Sequence, residues 1–177
     1  ATMKTIPEQS YFVNDSVAVD IDADGDKDLV LATGCRFGVC QTEPATCRRG
    51  DSIRIWLNDG AGGFTEATST RFPAFTWNAI QIEAADADLD GDPDLVIGTT
   101  AWSVSGKNQP SIRLYLNNGA GVFTDGTYPR VKVDTLEVAS LTMIDINKDG
   151  ALDIYFSADP CWWCSCGNQR LYLNTGN

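Results

Sequence analysis

A nine-residue acidic pattern occurs three times along the chain, and this repetition restricts the possible folds more than any other feature. Its form is Asp-x-Asp/Asn-x-Asp-Gly-x-x-Asp, and its copies occupy residues 20–28, 86–94 and 145–153. A second pattern, Leu-Asn-Asp/Asn-Gly-x-Gly-x-Phe, begins at Leu57 and Leu116 and starts again, as Leu-Asn-Thr-Gly, at Leu173. Each of its first two copies lies 29 residues before the next acidic loop. Paired motifs at a fixed spacing indicate a repeat architecture built from equivalent units.

Each repeat of roughly 60 residues contains short stretches with strand character. They are rich in β-branched and aromatic residues and are bounded by Gly, Asn and Asp, as at Ile53–Leu57 and Ile112–Leu116. No stretch has sustained helical periodicity. The sequence therefore predicts an all-β fold with four short strands in each repeat.

The acidic loops have the composition of binding sites for a hard cation. Side chains at positions 1, 3, 5 and 9 can converge if the backbone coils tightly, and the Gly at position 6 permits that turn. The backbone carbonyl at position 7 is a natural further ligand, and Ca²⁺ takes six to eight oxygen ligands. Carboxylates this close together repel one another when no cation is bound. The alternative is a solvated acidic turn that binds no metal.

An EF-hand also begins with alternating Asp residues and a Gly, but it requires a Glu at position 12 and two flanking helices. Position 12 of the three loops is Leu31, Ile97 and Phe156, each within a predicted strand. The sequence therefore argues against an EF-hand.

The paired motifs resemble the FG-GAP/VCBS repeat family over essentially the whole chain. The resemblance implies β-propeller-type blades of four antiparallel strands, as in the head of integrin α subunits and in certain lectins. It also implies about three Ca²⁺ ions per chain with a largely structural role. Carried over by position, the side-chain ligands are Asp20, Asp22, Asp24, Asp28, Asp86, Asp88, Asp90, Asp94, Asp145, Asn147, Asp149 and Asp153. The carbonyl ligands at position 7 are those of Asp26, Asp92 and Ala151.

Three blades do not close into a ring of ordinary shape, because propellers contain four to eight blades. We interpret residues 1–177 as a single repeat domain, with repeats at about residues 1–64, 65–123 and 124–177. The last repeat is expected to lack its fourth strand, and residues 1–13 are available to complete a neighbouring blade. The three blades are thus expected to stay open, or to be completed by other copies of the chain or by missing sequence of a larger, seven-bladed propeller.

Six cysteines lie in the variable connections of the first and third repeats, three in each: Cys35, Cys40, Cys47, Cys161, Cys164 and Cys166. Extracellular-type calcium loops favour an oxidising environment, so these residues are disulfide candidates. Six cysteines allow fifteen pairings, and the sequence does not select among them. One bond within each connection leaves a cysteine over in each, which a bond between subunits would use. A thiolate metal site is the alternative.

Aromatic residues occupy two kinds of position. Trp162 and Trp163 lie between two cysteines and are candidate contacts for a glycan or a protein partner, with local packing as the alternative. One position of the third strand holds Trp56, Tyr115 and Tyr172, which we predict to be core residues. The arginines that recur beside them are expected to form structural ion pairs: Arg54, Arg113 and Arg170.

Charge and composition exclude several classes of function. The net charge of −11 argues against nucleic acid or an anionic membrane as a partner. The absence of His excludes His-dependent catalytic triads and His-ligated zinc sites. No run of about 18 apolar residues is present, so membrane insertion is not expected. Thirteen of the 24 acidic residues lie in the three loops, and three bound Ca²⁺ ions would bring the charge to −5.

Taken together, these features predict a secreted or cell-surface calcium-binding repeat protein with a structural or adhesive role. We expect it to associate with itself, as a ring or a filament. We do not expect an enzyme, because the acids serve as ligands and no nucleophile–base pair stands out. The alternative function is a carbohydrate-binding lectin of the propeller type, with glycans or cell-surface proteins as partners.

Overall fold

The computed structural model describes Ile6 and residues 11–34, 53–74, 78–99, 110–134, 136, 138–158 and 168–175. These residues form three antiparallel sheets and two one-turn helices. Among them, no helix has the length and apolar character that a membrane crossing requires. The prediction of an all-β fold is confirmed.

Each repeat contributes one sheet, whose strands are adjacent in chain order. The first sheet contains β1 (Val13–Val19), β2 (Asp28–Thr33), β3 (Ile53–Asn58) and β4 (Phe64–Glu66). The second contains β5 (Ala79–Ala85), β6 (Asp94–Thr99), β7 (Ile112–Asn117) and β8 (Phe123–Asp125). The third contains β9 (Val138–Ile144), β10 (Asp153–Ala158) and β11 (Asn168–Tyr172). Short helices, α1 (Thr68–Arg71) and α2 (Thr127–Arg130), follow β4 and β8.

The strand assignments agree with the sequence patterns, including the three-stranded third sheet among the described residues. Each acidic loop connects the first two strands of its sheet, which pair antiparallel, as β1 pairs with β2. Position 12 of every loop therefore lies inside a strand: Leu31, Ile97 and Phe156. The loops are strand connections, and the exclusion of an EF-hand is confirmed.

Neighbouring sheets pack face to face, and we call each such contact a seam. The first seam joins Ile21 and Ile55 of the first repeat to Leu95 and Tyr115 of the second in one apolar cluster. The second seam joins Val96 and Leu114 to Leu141 and Phe156. The first strands of the sheets lie side by side, β1 beside β5 and β5 beside β9. This arrangement is consistent with consecutive blades of a propeller.

The recurring aromatic position contributes to the core in each sheet. Trp56 and Tyr115 are each 3% exposed, and Tyr172 packs against Phe156 with the ring centroids 5.6 Å apart. The arginines beside these aromatics form the expected ion pairs. They link Arg54 to Glu66, Arg113 to Asp125 and Arg170 to Asp134 at 3.6, 3.7 and 2.8 Å.

The Asn of the Leu-Asn motif joins the second and the third sheet to the acidic loop of the preceding repeat. Asn117 Nδ2 donates to the carbonyl of Ile21 at 2.8 Å, across the first seam. Asn174 Nδ2 donates to the carbonyl of Ala87 at 2.7 Å, across the second. Both carbonyls belong to position 2 of their loops, so the same bond recurs at both seams.

Substitution of this Asn tests how much the seam bond stabilises the fold. We expect Asn117→Ala to lower the free energy of unfolding by about 1–3 kcal/mol, because a buried carbonyl loses its donor. Asn58→Ala is the matched control, since among the described residues Asn58 Nδ2 donates to Lys27 in an exposed bond within its own repeat. Its expected cost is about 1 kcal/mol or less. Urea titrations of the dilute proteins measure the free energy of unfolding. Equal losses of that free energy in the two variants would contradict the role assigned to the seam bond.

Candidate metal centres

All three acidic loops have the same tightly coiled backbone. The residue at position 4 is left-handed in each loop: Ala23, Leu89 and Lys148, with φ of 59, 65 and 64°. The Gly at position 6 also has positive φ in each loop, between 91 and 98°. The N–H of that Gly donates to the carboxylate at position 1, at 2.9 Å from Gly25 to Asp20. In the first two loops, this coil accompanies a convergence of the side chains at positions 1, 3 and 9.

Three carboxylates meet in each of the first two loops. Oxygens of Asp20, Asp22 and Asp28 lie within 4.8 Å of one another. Asp86, Asp88 and Asp94 form the equivalent cluster in the second loop. Both clusters combine positions 1, 3 and 9, and either could hold a metal ion.

The Asp at position 9 is fully buried and connects two parts of its repeat. In the second loop, Asp94 Oδ2 accepts a hydrogen bond from the N–H of Ala87 at 2.9 Å, and Oδ1 accepts one from Asn117 at 2.8 Å. Asp28 and Asp153 accept the same pair of bonds in their loops. This residue therefore ties the loop to the Asn of the Leu-Asn motif while its carboxylate borders the acidic cluster.

The protein environment disfavours the ionised form of several acids in these clusters. Burial raises the pKa of Asp94 to about 6, although two backbone hydrogen bonds oppose the rise. Burial also raises the pKa of Asp28 and Asp88, and neighbouring loop carboxylates add to both rises. A cation bound in the cluster would offset this unfavourable negative charge.

Two carboxylate oxygens of the first loop point to an oxygen-ligated cation. Asp20 Oδ1 and Asp22 Oδ1 are buried and accept no hydrogen bond from the described residues. A buried carboxylate oxygen without a partner is costly. Hard oxygen donors at this spacing are the ligands that Ca²⁺ takes, so the residues present fit the implied metal.

The carboxylates at positions 5 and 7 lie outside the two clusters. Asp24 Oδ1 and Asp90 Oδ1 each accept a hydrogen bond from the backbone N–H of position 7, at 2.9 and 3.0 Å. The Asp26 side chain lies against Gly60, where a Cβ would overlap its carboxylate. The structure thus brings together three of the four side-chain ligands predicted for each of these loops.

The third loop has the same coil with different donors. Asn147 replaces the carboxylate at position 3, and its Nδ2 donates to Asp149 Oδ2 at 2.8 Å. Asp145 and Asp153 retain the backbone hydrogen bonds of their equivalents. The loop therefore has a candidate site with one negative charge fewer at position 3.

Comparison with known families agrees with the repeated geometry. Residues 20–97, which include both carboxylate clusters, match the sequence model of the FG-GAP-like repeat family. Residues 20–97 are thus similar to FG-GAP-like repeats. No curated protein matches it.

The next repeat covers the first loop of the FG-GAP-like segment, a feature that the sequence did not reveal. Arg71 lies 3.6 Å from Asp22 and donates to the carbonyl of Ala120 in the turn after β7. Gly121 of that turn is so close that a Cβ would lie 3.2 Å from Asp22 Cβ. Arg130, one repeat later, acts on Asp88 and opposes the rise of its pKa. The sequence signal that could have indicated these contacts is the recurrence of Arg71 and Arg130, 59 residues apart.

Other predicted site residues lie outside the described part of the chain. They are the six cysteines together with Trp162 and Trp163. The disulfides, the thiolate alternative and the glycan or protein contact therefore stay predictions.

Proposed function

We propose that the three acidic loops bind Ca²⁺ and that the ions hold propeller-type blades in a fixed arrangement. The observation that carries this proposal is the pair of buried, unpartnered oxygens of Asp20 and Asp22 within the first carboxylate cluster. A cation between them would supply the missing partner for both oxygens. The same coil in the other two loops extends the proposal to about three ions per chain.

Calcium suits these loops better than magnesium or a transition metal. Coiled loops of carboxylates and carbonyls provide many oxygen ligands in irregular geometry, which Ca²⁺ accepts. Mg²⁺ demands near-octahedral geometry and retains most of its water, and transition metals favour nitrogen or sulfur donors. Calcium sites in extracellular modules work at the high calcium concentrations outside cells, which favours a secreted or cell-surface location.

The proposed role is structural or adhesive rather than catalytic. In this role the clustered carboxylates bind ions and backbone N–H groups, which leaves them poorly placed for acid–base chemistry. Repeated blades suit a protein that associates with copies of itself through the same kind of contact. The strongly acidic composition makes an anionic surface an unfavourable partner. A secreted protein that self-associates as a ring or a filament is the function that these features favour best.

Direct measurement of bound calcium tests the proposal. Isothermal titration of the chelator-treated protein is expected to show about three Ca²⁺ ions per chain. Asp22→Ala and Asp88→Ala are each expected to abolish one site, because each removes a carboxylate from a cluster. Glu66→Gln is a control that removes an exposed acid outside the loops. Absence of binding, or unchanged stoichiometry in both loop variants, would refute the calcium assignment.

The third loop is expected to be the weakest of the three sites. Asn147→Asp restores the carboxylate at position 3 and should tighten Ca²⁺ binding there by roughly tenfold or more. An added charge about 4 Å from a divalent ion is worth about 2 kcal/mol even at the dielectric of water. Titration of the variant against the unchanged chain measures the shift. An unaltered third affinity would show that position 3 does not reach the ion.

A further inference from the structure

The outward face of the third sheet carries four exposed apolar side chains. Ile144, Ile146, Leu171 and Leu173 are 49, 52, 43 and 56% exposed. The alternate residues of the same strands, Met143 and Tyr172, pack inward against the second sheet. We call these four residues the trailing face of the third sheet, because the chain's repeat order runs toward it.

The equivalent face is covered at the first seam. Ile21 and Ile55 occupy the positions of Ile146 and Leu171 in the first repeat, and they are 1 and 0% exposed. The second sheet buries both of them. The second repeat has Leu114 at the position of Leu171, 6% exposed in the cluster with the third sheet. A following sheet thus covers this face at both seams inside the chain.

The seam hydrogen bond has an equivalent acceptor on the trailing face. The carbonyl of Ile146 stands at position 2 of its loop, where the carbonyls of Ile21 and Ala87 accept the bonds from Asn117 and Asn174. The donor at the equivalent position of the first repeat is Asn58, whose Nδ2 donates to Lys27 within its own repeat. Asn117 makes that same bond, to Pro93, in addition to its seam bond. Asn58 therefore has the position of a seam donor, and Ile146 has the position of a seam acceptor.

The opposite face of the first sheet, its leading face, offers the complementary surface. Ser16 and Ala18 are exposed there, at the positions of Ile82 and Ala84, which lie in the first seam. Val13 is 50% exposed at the position of the fully buried Ala79. Trp56 on this face is already covered, and its Nε1 donates to the hydroxyl of Tyr11 at 3.3 Å. The accessible part of the leading face is therefore the β1 side.

We propose that the trailing face of the third sheet binds the leading face of the first sheet of a second copy, repeating the seams within the chain. The match to an existing interface selects a copy of this chain over an unrelated partner, and the net charge of −11 disfavours an anionic membrane. The contact is head to tail, so it produces a ring or a filament. It rests on the proposed self-association but not on the identity of the bound ion.

Variants that block one face at a time test this contact by solution mass. Leu171→Arg blocks the trailing face and Ala18→Arg blocks the leading face, both at exposed positions. Each variant alone is expected to be a monomer of 19.2 kDa in light scattering with Ca²⁺ present, whereas the unchanged chain forms larger species. An equal mixture of the two is expected to give dimers, because one intact face of each kind remains. Val133→Arg, at an apolar residue 44% exposed outside both faces, should assemble as the unchanged chain does.

The possible failures of this experiment have separate meanings. A monomeric unchanged chain would overturn both the self-association and this contact. It would leave the calcium assignment unaffected, because the calcium titration tests that assignment separately. Assembly that persists in Leu171→Arg would overturn the contact and leave self-association in place. Dimers of Ala18→Arg alone would show a two-fold contact between trailing faces and would also overturn it. Circular dichroism confirms folding of each variant, and Ile146→Ser, which changes an exposed loop residue, replaces Leu171→Arg if that variant does not fold.

Discussion

Removal of Ca²⁺ is expected to lower the melting temperature of this protein by on the order of 20 °C. An ion that binds only the folded state contributes about 2.7 kcal/mol per site when its free concentration is 100-fold above Kd. Three such sites contribute about 8 kcal/mol, and a domain of this size shifts by roughly 2–4 °C per kcal/mol. The repulsion among loop carboxylates, which is strongest in the metal-free protein, acts in the same direction. Calorimetry with and without a calcium chelator measures the effect.

Magnesium provides the control for this experiment. Excess Mg²⁺ screens surface charge as a divalent ion but fits the irregular loops poorly, so it should restore only a small part of the lost melting temperature. Full restoration by Mg²⁺ would indicate general charge screening instead of specific calcium sites. An unchanged melting temperature after chelation would contradict the structural role of the ions.

The second large effect is expected at Asp94, which accepts two backbone hydrogen bonds and is also a candidate Ca²⁺ ligand. Substitutions can separate these two roles. In the presence of a chelator, Asp94→Ala should lower the free energy of unfolding by about 2–6 kcal/mol, because the N–H groups of Ala87 and Asn117 each lose a buried acceptor at about 1–3 kcal/mol. Asp88→Ala is the matched control from the same cluster, since its side chain is exposed. In chelator it should be neutral or slightly stabilising, because it removes a repulsive charge beside Asp86 and Asp90.

Addition of Ca²⁺ should distinguish the unchanged chain from both variants. Both variants lose the second-loop ion, so the unchanged chain should gain more stability from Ca²⁺ than either of them. Urea titrations of the three proteins, each with chelator and with Ca²⁺, give the complete comparison. Equal stability of Asp94→Ala and Asp88→Ala in chelator would show that the two backbone bonds of Asp94 contribute little.

Much of the fold could be predicted from the sequence because its signals are local. Strand residues are apolar or aromatic in short runs such as Ile53–Leu57, and Gly and Asn bound them, so the strands appear where the pattern places them. The loop coil is equally local, since a Gly at position 6 and the bonds from position 1 close it within nine residues. The carboxylates of Asp20, Asp22 and Asp28 consequently meet as predicted.

The position-5 side chains have a contact that local reasoning did not anticipate. The spacing places Asp24 and Asp90 among the ligands, which stays a prediction, and Oδ1 of each accepts a backbone N–H of the same loop. Position 9 was predicted as a ligand only, although its main contacts are two backbone N–H groups in different parts of the repeat. A pattern of residue types does not show which of several donors a carboxylate faces.

By itself, the sequence determined the repeat, the strands and the acidic loops, because each depends on contacts among residues close in the chain. Only the tertiary structure decided how the sheets meet. The bond from Asn117 to Ile21 spans 96 positions, and Arg71 reaches both Asp22 and the following turn. Such contacts depend on how one sheet stacks on the next. The same stacking buries Ile55 and exposes Leu171 at an equivalent position, a difference that the repeat pattern cannot show.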